Sequence, residues 1–341
     1  MARLLFVAPI LALSIMPVYY LFLKGPPSLP DLDTNEWWGP EKLKEKPDTS
    51  IKPFKISFDD MVVKDLKDRL KMSRSFTPPL EGVAFEYGFN TAQLDSWTKY
   101  WANEYKFKER ETFLNQYPQF KTNIQGLDIH FIRVTPKAAV RPGLGAPQVA
   151  VVMKNLMKRL GYKKFYLQGG DWGSLIGSNM VTLFPDVSIG LSDSPTGLLA
   201  YILEKFSTWT RPEHRQKPDG GLTFRFSKDQ LLDNLMFYWA PKSITTSMRL
   251  YSETFNSKVM GMKLDEIPTT APVWVAQAKY EMAYQPPFLL RLKFKNLVGV
   301  TVLDDGGHFL AFELPKVFSE DVLKALGEFR KVAKKNVKTD L

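Results

Sequence analysis

A glycine-flanked aspartate, Gly169-Gly170-Asp171-Trp172-Gly173, sits between a strand-like run at 163–168 and a helix-like run at 175–184. Passing from strand to helix through so short a turn strains the central residue and brings its neighbours close, so small residues must stand on both sides. The pentapeptide alone has two readings. Asp171 is either the N-cap of the following helix, or a side chain lifted clear of a sheet into the field of the helix N-terminus. Both commit this stretch to a strand followed by a helix. The surrounding sequence repeats the alternation. Val149, Val152, Met153, Leu156 and Leu160 follow helical spacing through 148–159, and a further helix is predicted over 281–294. A buried strand is predicted at 297–303, then a closing helix over 319–332 that faces the core with Val322, Leu326, Phe329 and Ala333. Strands alternating with helices predict an α/β fold built on a parallel sheet. An aromatic, helical stretch over about 196–262 interrupts the pattern.

Upstream the pattern is different. A short strand is predicted at 54–58, then a helix marked by Val62, Val63, Leu66 and Leu70. A second helix, carrying Leu94, Trp97 and Trp101, is entered through Asn90-Thr91 as its N-cap. The β-rich runs 117–122 and 127–135 flank Gln125-Gly126, a hairpin signal. Ahead of all this, residues 4–23 carry no charge. As a helix they reach about 30 Å, the thickness of a bilayer's hydrocarbon core. A signal-peptide core is shorter, about 7–15 residues, and this run closes with Tyr19, Tyr20, Phe22 and Lys24, as at a membrane interface. It is read as an uncleaved transmembrane anchor. Residues 24–50, with Pro26, Pro27, Pro30 and Pro40, read as an extended linker. Within it Trp37-Trp38 is expected to pack back onto the domain or rest at the membrane interface.

Composition removes whole classes of chemistry. The chain has no cysteine, so it has no disulfide, thiolate metal site or cysteine nucleophile. Its formal charge is +10, but the lysines alternate with acids, as in Lys64-Asp65-Leu66-Lys67-Asp68-Arg69, a solvated helix face. No nucleic-acid-binding fingerprint accompanies the charge.

Of the three histidines, His130 alternates with apolar residues as on a sheet face, and His214 lies in the polar Arg211-Pro212-Glu213 stretch, expected to be solvated. His308 follows the last predicted strand in Gly306-Gly307-His308-Phe309. A histidine in that place, after an elbow in chain order, is the pattern of a hydrolase base. An acid must hold its other nitrogen. The candidates are Glu281, Asp304 and Asp305. The two aspartates are so near His308 in sequence that turning back to its ring is awkward, so Glu281 leads.

With these residues in place the chain resembles the microsomal-type epoxide hydrolases, and within them the juvenile hormone epoxide hydrolases of insects. The resemblance runs from the apolar start through Trp37-Trp38-Gly39-Pro40, Tyr117-Pro118-Gln119-Phe120 and the Asp171 elbow. It continues through Asp193-Ser194-Pro195, Tyr201-Ile202-Leu203-Glu204-Lys205-Phe206, Tyr238-Trp239 and Tyr251 to the His308 motif and Phe312-Glu313. It implies an α/β-hydrolase fold with a helical cap, an N-terminal epoxide-hydrolase region at 51–135 and a hydrolase domain at 136–341 with a partial cap about 196–262. It also implies Asp171 as nucleophile, His308 as base, Glu281 as its acid partner and Tyr251 as one of two cap tyrosines that donate protons to the epoxide oxygen. The substrates implied are lipophilic epoxides and water, juvenile hormone favoured, at the endoplasmic reticulum membrane with the catalytic domain in the cytosol. No metal, organic cofactor or obligate protein partner is called for.

The chemistry agrees with that assignment. A carboxylate attacking an epoxide carbon forms an ester whose own carbonyl water can then attack. A tyrosine is a weak acid suited to stabilising the developing alkoxide. Two family segments are absent, however. A strand ending in His-Gly-Trp-Pro, whose backbone helps form the oxyanion hole, is missing, for Pro136-Lys137 runs straight into Ala138-Ala139-Val140. More sheet and the first part of the cap, with its tyrosine, are missing at Asp186-Val187-Ser188. Loss of sheet strands is expected to expose apolar surface. Two further readings therefore stand beside turnover: a catalytically impaired relative that binds hydrophobic ligands, and another Asp-nucleophile hydrolase such as a dehalogenase.

Overall fold

The computed structural model describes residues 29–45, 47–72, 76–79, 81–86, 88–131, 146–162 and 193–339. The apolar run 4–23, the Asp171 elbow with its flanking strand and helix, and both family gaps lie outside them. Among the described residues no helix is long and apolar enough to cross a membrane.

The first described unit is an antiparallel sheet in the order β1 (Lys52–Phe54), β2 (Gln119–Ile124), β3 (Leu127–His130). Gln125 and Gly126 both take positive φ between β2 and β3, as a two-residue hairpin turn matched to strand twist requires. β1 stops at Phe54, short of the predicted 58. The amide of Ile56 donates to Asn115 Oδ1 at 2.8 Å and that of Phe58 to Glu111 Oε1 at 2.5 Å, so side chains take the bonds a ladder would need. The Trp37-Trp38 segment does pack back. Trp38 donates its amide to the Gln125 carbonyl at 2.8 Å and buries its ring with Ile124, Leu127 and Ile129. Gly39 and Gly126 press backbone to backbone, where a side chain on either would collide.

Helices α1 (Asp60–Lys71) and α2 (Leu94–Asn103) follow the predicted stripes, and α3 (Phe107–Leu114) is a helix the sequence reading did not predict. Asp59 caps α1, and the 3-10 turn Thr91–Gln93 leading into α2 is capped by Asn90. The polar face of α1 carries i,i+4 ion pairs, Lys64–Asp68 and Arg69–Asp65. Helix α4 (Ala146–Arg159) covers the hairpin with Val152 and Leu156. The aromatic stretch then folds as α5 (Pro195–Thr208), α6 (Lys228–Trp239), α7 (Ile244–Thr254) and α8 (Ser257–Gly261). Ser194 caps α5 ahead of Pro195, and Ser227 with Gln230 forms a reciprocal capping box on α6. Helices α1, α2 and α3 share one core with these helices, with Leu66, Trp101, Leu198, Leu199, Leu203, Leu231 and Leu232 buried in it. Behind it the carboxylate of Asp233 meets Arg110 at 2.5 Å and Tyr105 Oη at 2.7 Å.

The last unit is a parallel pair, β4 (Thr269–Gln277) and β5 (Phe294–Val302). The parallel strands agree with the α/β expectation, and α11 (Pro315–Thr339) packs against both. β4 is a strand the sequence reading did not predict. It contains Pro272, which cannot donate to a ladder, and its register is irregular around that residue. The helix predicted over 281–294 is only α9 (Pro287–Lys293), because Pro286 and Pro287 are tolerated at the start of a helix but not in its interior. β5 is half-buried rather than buried, and Val302 is 55% exposed. The inner face of α11 is also shifted. Asp321 and Ala325 are buried, while Ala333 is exposed. Asp321 holds that position because it accepts from Thr301 Oγ1 at 2.6 Å and Trp274 Nε1 at 3.1 Å, one on each strand.

Candidate active site

Two loops leave the C-terminal ends of the parallel strands side by side. β4 leads to Glu281 and β5 to His308. The amide of Tyr280 donates to the Gly306 carbonyl at 2.9 Å and that of Leu303 to the Gln277 carbonyl at 2.9 Å, which fixes one loop against the other. His308 Nδ1 then lies 2.9 Å from Glu281 Oε1. Burial raises the affinity of Glu281 for a proton. The bonds from His308 and from the Met282 amide outweigh it, and the carboxyl stays below its ordinary range. An ionised carboxylate only accepts, so Nδ1 carries the hydrogen. The imidazole is almost wholly enclosed and Glu281 about one-third exposed.

Of the acids considered, Glu281 is brought to the imidazole. Asp305 is engaged elsewhere. Its carboxylate meets Arg211 at 2.6 Å, also Arg225, and accepts the Gly306 amide at 2.7 Å. Burial works against its charge, but that amide and the two guanidiniums hold the carboxyl below its usual range.

The glycines of the motif have separate jobs. Gly306 takes φ +86°, a conformation side chains disfavour. Gly307 runs against the backbone of Trp209 and Thr210, where any side chain would collide. That close approach lets the His308 amide donate to the Trp209 carbonyl at 2.8 Å. The Trp209 ring stands edge-on to the imidazole at 5.1 Å. Phe309 stacks on Phe206 at 4.1 Å, and Phe312 on Phe226 at 4.9 Å, so α10 (Leu310–Glu313) is rooted in the helical core.

Of the four residues predicted for catalysis, the structure brings His308 and Glu281 together. Tyr251 lies half-buried on α7, packed against the same core that Phe309 and Phe312 join. Asp171 lies outside the described residues. His130 sits on β3 with its ring against Phe54 at 4.9 Å, as expected of a sheet face. His214 is not solvated. It is buried, with Nδ1 3.0 Å from Thr210 Oγ1, because Gly221 lets the chain fold tightly over its ring. Trp209, Arg211 and Arg225 escaped the sequence reading, since each acts through a neighbour distant in sequence.

Comparison with known proteins supplies the family. The family model "Epoxide hydrolase N terminus" matches residues 51–144. The chain is 49% identical over 463 aligned positions to juvenile hormone epoxide hydrolase of Bombyx mori, with all of both chains covered. Epoxide hydrolase 1 of Sus scrofa is 31% identical, across 85% of this chain and 92% of that one. The crystal structure of the silkworm enzyme superposes with a TM-score of 0.81 at 51% identity, covering 89% of this chain and all of that one. The chain thus shares the α/β-hydrolase fold of its structural neighbours. Set against 341 residues, the 463 positions leave at least 122 of them (463 − 341) without a counterpart here, in keeping with the absent internal segments. A histidine–carboxylate pair on loops after parallel strands, a helical core above it, and likeness across the whole chain converge: this protein belongs to the epoxide hydrolase family, alongside the juvenile hormone epoxide hydrolases.

Proposed function

We propose that the chain hydrolyses lipophilic epoxides, juvenile hormone foremost, through an ester on Asp171. The observation that carries the reading is the His308–Glu281 pair at 2.9 Å. Asp171 attacks an epoxide carbon; the C–O bond breaks and the oxygen takes a proton from Tyr251. His308 then removes a proton from water through Nε2, since Nδ1 is committed to Glu281. The resulting hydroxide attacks the ester carbonyl and releases the diol, and the proton taken by His308 returns to the Tyr251 phenolate. The substrate's solubility in lipid gives residues 4–23 their rationale as an anchor, at the endoplasmic reticulum with the catalytic domain in the cytosol. In this reading residues 24–50 are the linker, 51–135 the N-terminal region and 136–341 the hydrolase domain.

The test is mass spectrometry of the detergent-purified chain after brief mixing with excess juvenile hormone. Substrate mass on the Asp171 peptide, absent in Asp171→Asn, is expected. A second reading, binding of hydrophobic epoxides without turnover, is favoured by the missing His-Gly-Trp-Pro segment. Removing one oxyanion donor typically costs about 10²–10³ in rate. Saturable binding with neither label nor diol, in chain shown to be folded, would establish that reading instead.

A further inference from the structure

Glu313 has no part in the mechanism above, yet it is a buried carboxylate beside the catalytic histidine in sequence and space. The Gly307 amide donates to its Oε1 and Oε2, each at 3.1 Å, and the Phe309 amide to Oε1 at 3.1 Å. Glu313 returns a bond, its own amide donating to the Phe309 carbonyl at 2.8 Å. The amide of His308 goes to the Trp209 carbonyl. All three successive amides, 307 to 309, therefore have fixed acceptors, and the two that flank the histidine share one side chain.

We infer that Glu313 is the positioning residue of the base, holding the backbone on both sides of His308 so that its ring meets Glu281 and the attacking water in register. A leucine would fill the site without the cost of burying a carboxyl. Burial pushes this carboxyl up to about 7, against the pull of the two amides and Arg225 and with the repulsion of Asp305. The network reaches further, for Arg225 and Arg211 clamp Asp305 just ahead of the glycines. The base is thus located from the helical half of the molecule, through Trp209, Arg211 and Arg225, with Glu313 as the inner strut.

This inference rests on the ester route proposed above, and its effect must fall on one half-reaction. Ester formation at Asp171 does not use His308, whereas ester hydrolysis does. The experiment follows labelled Asp171 peptide in single turnovers of the full chain, for wild type, Glu313→Gln and Glu313→Leu. Gln keeps one carbonyl oxygen where Oε1 stands and preserves shape. The expected result is ester formation within about twofold of wild type in both variants, with hydrolysis slowed about tenfold or more in Leu and less in Gln, as displacement of a catalytic group implies. Hydrolysis at the wild-type rate in Leu would overturn the inference. So would formation and hydrolysis falling together in Gln, which would mark a general structural role. If wild type never acquires the label, the ester route itself fails, and the inference with it.

Discussion

In the helical half, Leu66, Leu198, Leu199, Leu203, Leu231 and Leu232 are sealed from solvent, and Trp101 with them. In the parallel ribbon only Gln277, of two nine-residue strands, is buried. Parallel strands are normally covered on both faces. Here α11 covers one side, while Phe288 and Leu292 on α9 and Leu323 on α11 are each about two-thirds exposed. The ribbon nevertheless carries Glu281 and His308. The contrast shows a division of labour: the open half supplies the loops of the Glu281–His308 pair, and the sealed half says where they sit.

The sharpest way to break the comparison is to remove the chemistry while leaving both halves intact. His308→Gln should slow ester hydrolysis by about 10²–10⁴, the usual worth of a general base, and leave the thermal midpoint near wild type. Glu281→Gln should slow hydrolysis more than formation, by a smaller factor. Rapid-quench mass spectrometry of the Asp171 peptide reads both. If Glu281→Gln left both steps untouched, the contact at 2.9 Å would be incidental.

Next comes the sealed half itself. Arg110→Met leaves the buried Asp233 carboxylate with the Tyr105 hydroxyl and without its guanidinium. Breaking one side of such a pair costs about 3–5 kcal/mol. Urea denaturation should show the loss, and catalysis should fall with it because the loops take their position from this core. A variant that unfolds early yet retains full turnover per folded molecule would mean that the ribbon holds its own geometry.

A third prediction uses pH. Burial raises the carboxyl of Glu313 from the ordinary 4.5 of a glutamate to about 7. Between those values the folded chain keeps a proton that the unfolded chain releases. The stabilisation is complete below about 4.5, is lost as pH rises to about 7, and is flat above. The swing is up to about 3 kcal/mol at 1.36 kcal/mol per pKa unit. Glu313→Gln should flatten that slope and leave the chain more stable than wild type at pH 8, while hydrolysing ester more slowly. A parallel pH–stability curve in Gln would show that Glu313 does not titrate in this window.

The two halves also differ in how far the sequence disclosed them. The stripes of α1 and α2 and the Gln125-Gly126 turn were legible because local spacing decides them, whereas the docking of Trp38 was one of two placements expected for it and depends on a distant partner. The pairing of Glu281 with His308 among the described candidates was legible too, because Asp304 and Asp305 stand too near the ring in sequence to turn back to it and the family resemblance pointed to Glu281. β4 was hidden by Pro272, and α9 shrank because two prolines outweigh apolar spacing. The burial of His214 and the roles of Arg211, Arg225 and Trp209 were illegible, since each depends on a partner brought close by folding. Glu313 was visible only as a motif letter; it accepts hydrogen bonds from two backbone amides because α10 turns straight back onto the loop.

The smallest effect is expected on the exposed side of the ribbon's covering helix. Leu323 lies on α11 only two residues from the buried Asp321, but it is 66% exposed. Leu323→Gln should change stability by no more than about 0.5 kcal/mol, as for surface positions without special contacts. Leu232→Ala, in the sealed core, should cost about 2–5 kcal/mol, because a cavity replaces packed methyls. Measured side by side in urea, the two variants compare apolar side chains in the two halves directly. A large loss for Leu323→Gln would mean that something covers α11 in solution. The contrast in burial would then belong to the isolated chain, and a dependence of that loss on protein concentration would identify the cover as a second copy.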